Sequence, residues 1–240
     1  MKSLTETINQ VLSDNKAARV VSFYFGNKKY WLKQTERTRG FMRLLKTNPQ
    51  QALRHEVQAL QYLNKVGAPC AKLVEFGDDY LVLQDVGMTA NQWLHNTAFD
   101  QTQKQRVLND CAVALAELHR LDLVHGRPAT RDMGWDNGKV RFIDFESKLD
   151  IRRLQWNKIR DLLIFIHDLY RNGTLSQTMI ESAVAEYRRH GGETVWRQAI
   201  QLVNKRRMLY CLFKPFYPIA GKDLLASLKL FEYLLGETSV

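Results

Sequence analysis

The sequence predicts an α+β protein with a small antiparallel sheet and one main helix first, and a larger helical part after it. Two observations predict this class. Short runs of β-branched, aromatic and aliphatic residues occupy the first third of the 240 residues, and amphipathic helical patterns fill the remainder. The change of pattern falls at Gly87, which suits a hinge. We therefore expect two lobes, an N-lobe at residues 1–86 and a C-lobe at residues 87–240.

The predicted N-lobe consists of a hairpin, a helix and two further strands. Residues 20–33 read as a β-hairpin, because two runs of strand-forming residues flank the turn dipeptide Gly26-Asn27. Residues 71–86 predict two strands on either side of Gly77-Asp78-Asp79. Residues 50–65 predict a helix, because four apolar residues recur there at spacings of three and four: Leu53, Val57, Leu60 and Leu63.

The predicted C-lobe is mainly helical. Its first long helix runs through Arg120, with either Asp100 or Thr102 as its N-cap. A short strand is expected at residues 140–143. Further helices are expected at residues 155–170 and 175–190, and two more after these, separated by Pro215 and Pro218.

One apolar stretch near the C-terminal end has two interpretations. Residues 210–217 carry several aromatic side chains, and we expect them to belong to the core; a lipid-facing surface is the alternative.

The composition limits the compartment and the partners. The net charge is +10, which favours polyanionic partners such as nucleotides, nucleic acid or anionic lipid headgroups. No known nucleic-acid-binding motif accompanies the charge, so nucleic acid is disfavoured. The three cysteines form no Cys-x-x-Cys pair, which disfavours structural zinc and a disulfide framework. Without an apolar signal core or a spanning stretch, a cytoplasmic location is expected.

The residues that carry chemistry follow the first long C-lobe helix. His125-Gly126-Arg127 is followed by Asp132, and Asp144 stands twelve residues after Asp132, just beyond the predicted strand at residues 140–143. Two carboxylates suit Mg²⁺, which takes few protein ligands and keeps phosphate oxygens and waters. His125 is interpreted as a structural residue beneath the loop. Arg127 stands two residues after His125, where a catalytic base is expected in a phosphoryl-transfer site. An arginine stays protonated, so it cannot act as that base.

A lysine and two carboxylates complete the candidate set. Lys33 ends the predicted second strand and could contact ATP phosphates, and Glu56 on the next helix could hold it by an ion pair. Asp161 begins an apolar helix. It is either a bond partner for the backbone of the His125 loop or an acidic first-turn residue favoured by the helix dipole.

The order of these residues along the chain resembles that of the protein-kinase-like superfamily. Within it, the chain is most similar to the small bacterial lipopolysaccharide (Kdo-type) kinases and their RIO-like relatives. The resemblance rests on Lys33, Glu56, the Gln84–Gly87 hinge, His125-Gly126, Asp132, Asp144-Phe145-Glu146 and Asp161. It implies a bilobal fold that binds ATP and Mg²⁺.

The resemblance also implies a role for each matching residue. Lys33 would touch the α- and β-phosphates and pair with Glu56, and main-chain groups from Gln84 to Val86 would bind adenine. Asp132 and Asp144 would hold Mg²⁺.

Two departures from the relatives concern activity. Arg127 replaces their catalytic aspartate. The nucleotide-covering loop, expected between the first two strands at residues 13–18, has no glycine, so Lys16 would have to replace part of its phosphate contact.

Two functions follow from the sequence. The first is an ATP- and Mg²⁺-dependent phosphotransferase in which Asp132 takes the base or metal role and Arg127 binds phosphate. By resemblance, its acceptor would be a sugar hydroxyl of lipopolysaccharide core, an anionic glycolipid reached by peripheral contact with the inner membrane. The alternative is a pseudokinase, a nucleotide-binding or regulatory module without phosphotransfer.

Overall fold

The computed structural model describes residues 2–35, 49–145 and 151–236. Within it the chain divides into two compact units, Met1–Val86 and Gly87–Val240. The first is built on an antiparallel sheet and the second is mainly helical, so the α+β prediction is confirmed. Glu146, the end of the predicted metal motif, lies outside the described residues.

The first unit holds a four-stranded antiparallel sheet in the order β1-β2-β4-β3. The predicted hairpin is present, with Gly26 in the left-handed region (φ +60°) at the turn between its strands. The elements of this unit are α1 (Leu4–Asp14), β1 (Val20–Phe25), β2 (Lys28–Gln34), α2 (Pro49–Lys65), β3 (Leu73–Phe76) and β4 (Tyr80–Gln84).

The sheet is covered on both faces. Successive strand residues point to opposite faces, so Val82 of β4 packs with Ile8 of α1, whereas Leu81 packs with the apolar stripe of α2. The predicted stripe of α2 is buried as expected. Burial on both faces explains why β4 reads as an unbroken apolar run.

The predicted covering loop at residues 13–18 is wrong. Residues up to Asp14 belong to α1, and the first two strands are joined by the short Gly26-Asn27 turn instead. Helix α1 forms because Ser3 and Glu6 make a capping box and Ile8 is fully buried against the sheet. Lys16 therefore follows a helix and precedes β1, and it is not part of a loop between strands.

The second unit opens with a three-stranded sheet in the order β5-β6-β7. Strand β5 is Met88–Thr89, β6 is Met133–Asp136 and β7 is Lys139–Phe142. The last two form a hairpin around Asn137-Gly138, both in the left-handed region. Gly87 (φ +79°) precedes β5, and a Cβ there would lie 2.9 Å from the Trp135 carbonyl oxygen, so the position requires glycine.

Helices make up the rest of the second unit. Asp100, not Thr102, caps the first long helix, accepting from the Gln103 amide at 2.8 Å. The chain kinks at Arg188–Gly192, where His190 (φ −94°) and Gly191 (φ +111°) leave the helical conformation between two helices. The helices are α3 (Ala90–His95), α4 (Gln101–Arg120), α5 (Leu154–Asn172), α6 (Gln177–Tyr187), α7 (Glu193–Lys205), α8 (Arg207–Phe213) and α9 (Lys222–Gly236), with short 3₁₀ turns at Thr130–Asp132, Ile151–Arg153 and Lys214–Ile219.

The expectation that residues 210–217 belong to the core is wrong. They lie in α8 and the 3₁₀ turn after it, and neither element contains a buried residue. Pro215 and Pro218 fall inside that turn, where a missing amide and a fixed φ prevent an α-helix from continuing. The core of this unit is completed by α4, α5, α6, α7 and α9, which leaves the apolar side chains of α8 facing solvent.

Candidate functional site

In the first unit, the structure brings Lys33 and Glu56 into direct contact. The Lys33 ammonium lies 2.7 Å and 2.8 Å from the two carboxylate oxygens of Glu56. Sheet geometry explains the meeting. Lys33 is paired with Leu81, whose side chain packs against α2, so Lys33 points to the face that carries Glu56. Lys33 lies one residue before the end of β2, close to the predicted place.

The end of β4 holds the two positions predicted to bind adenine. Gln84 is the last residue of the strand, and its amide donates to the Lys72 carbonyl at 3.0 Å. The next amide, of Asp85, donates to the Lys29 carbonyl at 3.0 Å. Val86, the last residue of the first unit, is buried.

In the second unit, the β6–β7 hairpin brings Asp132 and Asp144 to the same end of a two-stranded ribbon. Asp132 immediately precedes β6, and Asp144 follows β7 by two residues. Antiparallel pairing places these strand ends side by side, and the Ile143 amide donates to the Asp132 carbonyl at 2.9 Å. The twelve-residue spacing in the sequence is thus the length of one hairpin.

The two aspartates differ in burial and conformation. Asp132 is buried, whereas Asp144 is exposed and adopts a left-handed backbone (φ +58°), which is uncommon outside glycine. Burial raises the pKa of the Asp132 carboxyl, and the Asp144 charge raises it further, against the opposing charges of Arg131 and Arg127. The two carboxylates therefore repel each other, which a shared cation would relieve.

The donor set fits Mg²⁺. Within the described ranges, no group of three or more His, Cys, Asp or Glu side chains could hold a metal ion. Mg²⁺ needs fewer, because it commonly takes one or two carboxylates and completes its shell with phosphate oxygens and waters. Asp132 and Asp144 supply such a pair, both with hard oxygen donors.

His125 has a structural role in the loop. Its side chain is fully buried, and Nδ1 accepts from the Arg127 amide at 3.3 Å. The proton therefore belongs on Nε2, which donates to the Ile143 carbonyl at 2.7 Å. One imidazole thus ties the loop to the strand end that leads into Asp144.

Two carboxylates on α5 hold the same loop. Asp161 is fully buried and accepts from the amides of His125 at 2.6 Å and Gly126 at 3.0 Å, so the first of its two predicted roles is the observed one. Asp168 accepts from both the amide and the hydroxyl of Thr130, each at 2.7 Å. The two lie seven residues apart, which is two helical turns and therefore one face of α5.

Arg127 and Arg131 place positive charge on the loop. Arg127 is exposed, and its carbonyl accepts from the Ala129 amide at 2.9 Å, which fixes the backbone but leaves the guanidinium in solvent. Arg131 Nε lies 3.5 Å from Asp132 Oδ2. Both charges lower the pKa of Asp132, so the guanidinium of Arg127 acts within electrostatic range of that carboxylate.

Sequence reasoning missed strand β6 and Asp168. The signal for β6 was Asn137-Gly138, a strong hairpin dipeptide, which predicts a partner strand before residues 140–143. Asp168 offered a weaker signal: a carboxylate seven residues after Asp161 in an otherwise apolar helix. Its partner Thr130 is 38 residues away in sequence, so no local pattern could reveal the contact.

Comparison with known proteins assigns the chain to a family. Residues 18–178 match APH, the phosphotransferase enzyme family, and the chain belongs to that family. This agrees with the predicted resemblance at the level of the protein-kinase-like superfamily. An uncharacterized protein of Haemophilus influenzae is 39% identical over 230 residues, which cover 96% of this chain and 95% of that protein.

Two solved structures are similar at low identity. One is an APH(2″)-IIa ternary complex with streptomycin and ATP, at 13% identity and a TM-score of 0.37, covering 96% of this chain and 99% of that one. The other is the aminoglycoside phosphotransferase APH(2″)-Ib bound to ADP, at 13% identity and a TM-score of 0.40, covering 97% of each chain.

Proposed function

We propose that this protein transfers a phosphoryl group from ATP to an alcohol, with Mg²⁺ held by Asp132 and Asp144. The observation that carries the proposal is the β6–β7 hairpin, which sets two carboxylates at one strand end of a chain belonging to a phosphotransferase family. When bound there, Mg²⁺ would neutralise charge on the phosphates. The side chains of the protein bind the nucleotide, orient it and supply charge.

Each remaining residue receives one role in the proposal. Lys33, oriented by Glu56 at 2.7 Å, binds the α- and β-phosphates. Main-chain groups from Gln84 to Val86 bind adenine. Because the amides of Gln84 and Asp85 already donate within the first unit, Val86 supplies the amide donor. Asp132 either holds metal alone or also accepts the proton of the acceptor hydroxyl.

Arg127 works as a cationic clamp on phosphate in this scheme. An arginine stays protonated and cannot serve as the base, but its planar guanidinium matches phosphate oxygens. Its exposed side chain and its influence on the Asp132 carboxyl support this role. Positioning and electrostatics supply most of the rate in phosphoryl transfer, so the scheme does not require an aspartate at position 127.

The acceptor proposed from the resemblance is a sugar hydroxyl of lipopolysaccharide core. The net charge of +10 supports an anionic acceptor. A panel of phosphate-free sugars, lipopolysaccharide and aminoglycosides with γ-labelled ATP tests it. Label on lipopolysaccharide alone would support the proposal, and label only on another acceptor would refute this choice while leaving the phosphotransferase intact.

Asp132→Ala tests the activity itself. We expect turnover to fall by at least about 10²-fold, the lower end of what one acid–base or metal role supplies. Asp136→Ala is the matched control, because Asp136 is an exposed aspartate at the turn end of the same hairpin. Equal activity of wild type and Asp132→Ala would show that the chemistry lies elsewhere.

The pseudokinase is the second candidate, and Arg127 at the usual base position favours it. Arg127→Asp separates the two. In an enzyme built around the arginine, this change abolishes turnover, because a carboxylate would face the phosphates. In an inactive protein that otherwise kept its geometry, it creates phosphotransfer. Arg127→Ala raises the KM for ATP or an anionic acceptor in the first case and changes nothing in the second.

A further inference from the structure

One stretch of the second unit exposes apolar and basic side chains together. Segment 205–222 comprises the end of α7, α8, the 3₁₀ turn and the start of α9. Met208, Leu212 and Ile219 are 85%, 62% and 80% exposed. The other large side chains exposed here are Leu209, Phe213, Phe216 and Tyr217. A monomeric protein rarely leaves so many neighbouring apolar side chains in water without a binding purpose.

The charge of segment 205–222 has one sign. It contains no aspartate or glutamate. Its five basic residues flank and interrupt the apolar run: Lys205, Arg206, Arg207, Lys214 and Lys222. Apolar and aromatic side chains framed by lysine and arginine are the composition of segments that lie in the headgroup region of a bilayer.

A few contacts hold the segment in place while its apolar side chains stay outward. The Tyr210 hydroxyl donates to Glu232 of α9 at 2.9 Å, and the Tyr210 ring stacks on Phe231 at 6.2 Å between centroids. Arg206 lies over the Trp156 ring at 5.6 Å. The segment is therefore tied to the fold by its polar and aromatic edge, so its shape does not depend on covering the apolar side chains.

We propose that segment 205–222 docks this protein on the surface of an anionic phospholipid bilayer. The apolar side chains would enter the acyl boundary and the basic ones would face the headgroups. No helix among the described residues is long and apolar enough to cross a membrane. A second copy of this chain fits less well, because a self-complementary contact would set five positive charges against five.

The proposal does not depend on the phosphotransferase activity, because it rests on a surface and not on the Asp132–Asp144 hairpin. The test uses the whole protein with unilamellar vesicles of phosphatidylcholine alone, or with about 30% phosphatidylglycerol, followed by flotation. We expect at least about 20-fold stronger partitioning to the anionic vesicles, since each engaged basic residue contributes roughly fivefold. Salt at about 0.5 M should remove most of that difference.

Two sets of variants separate the apolar and the charge contributions. Met208→Ser/Leu212→Ser/Ile219→Ser should lower partitioning by at least about tenfold, because each side chain loses apolar area that the membrane would bury. The matched control is Tyr24→Ser/Tyr62→Ser, which removes two exposed aromatic side chains of the first unit (69% and 56% exposed) and should leave partitioning unchanged.

The double variant Lys205→Gln/Arg207→Gln tests the charge contribution. Its control, Lys28→Gln/Lys65→Gln, loses the same charge from exposed positions elsewhere. The test pair should lose about tenfold or more in partitioning to anionic vesicles and the control should lose little. The substituted side chains are exposed, so melting temperatures should stay close to wild type.

Three results would overturn the proposal. The first is equal partitioning to neutral and anionic vesicles. The second is an unchanged partition coefficient in both test variants. The third is a dimer in sedimentation experiments that the apolar triple variant abolishes, since a second copy would then be the occupant.

Discussion

The candidate residues fall into two parts, one in each unit, and the two parts are held in place by different means. Lys33 and Glu56 meet side chain to side chain, and each remains partly exposed, at 22% and 28%. Asp132 and Asp144 are placed by main-chain pairing, and the loop before them is held from beneath by the buried Asp161 and by Asp168. The first part can be changed without disturbing the fold, whereas the second depends on buried contacts of the loop before it.

Magnitudes support this difference. A partly exposed ion pair is worth about 0–1 kcal/mol, because water screens it and two flexible side chains must be ordered. A buried carboxylate that accepts two backbone amides contributes about 1.5–3 kcal/mol per bond, and removing it leaves the amides unsatisfied. A substitution at Lys33 should therefore weaken function with little loss of stability, whereas a substitution at Asp161 should weaken both.

The largest effect is expected for Asp161→Ala. The change leaves the His125 and Gly126 amides buried without their acceptor, which should lower the free energy of unfolding by about 3 kcal/mol or more. Urea denaturation measures it. Asp161→Asn, which keeps one oxygen, should lose less. A loss below about 1 kcal/mol in the alanine variant would show that the loop is not anchored by Asp161.

An intermediate effect is expected from pH at His119. His119 of α4 is buried beside Asp161, with its Nε2 3.6 Å from Asp161 Oδ2. Burial lowers the pKa of His119, against the opposing charge of Asp161, so the folded protein keeps this side chain neutral. Stability is then complete above the unfolded pKa of about 6.5 and falls at lower pH, because the unfolded chain binds a proton that the folded chain does not. Between about pH 6.5 and 5.5 wild type should lose up to about 1 kcal/mol more than His119→Gln.

Urea midpoints of both proteins across this range measure the His119 effect. If wild type and His119→Gln lose stability in parallel, His119 does not set the pH dependence. The packing around His119 would then be looser than its 3% exposure indicates.

The smallest stability effect is expected for Lys33→Met. Removing the ammonium should change the free energy of unfolding by less than about 1 kcal/mol, because the ion pair with Glu56 is partly solvated. ATP affinity should nevertheless fall at least about tenfold, as expected for a lost phosphate contact. Lys28→Met, at the exposed start of β2, is the control for both measurements. A loss of stability well above about 1 kcal/mol in Lys33→Met would show that the fold depends on this ion pair as it does on Asp161.

The positions of Lys33 and Glu56 in the first unit were predictable from local sequence patterns. Strand alternation and the amphipathic stripe of α2 place Lys33 and Glu56 on facing surfaces, and both patterns are legible in a single sequence. Asp132 and Asp144 were found by their spacing, although the strand that explains the spacing was overlooked despite its Asn137-Gly138 turn.

What the sequence did not reveal depends on contacts between distant residues or on competition for burial. Asp168 binds Thr130 across 38 residues, and no local period records that pairing. The covering loop was misplaced because the capping box of α1, Ser3 and Glu6, was not recognised. The apolar residues of segment 205–222 were assigned to the core because hydropathy alone does not tell whether another element is left to cover them.

The most direct test of the account is Mg²⁺-dependent stabilisation by ATP. A ligand that binds only the folded state adds about 2.7 kcal/mol at a concentration of 100 Kd. We expect Mg-ATP to raise the melting temperature of wild type and of Asp136→Asn alike. Asp144→Asn should lose most of the rise, because the end of the hairpin that carries Asp132 then offers one carboxylate in place of two. An equal rise in Asp144→Asn, or no rise in wild type at millimolar Mg-ATP, would contradict the assignment of Asp132 and Asp144 as the metal-binding pair.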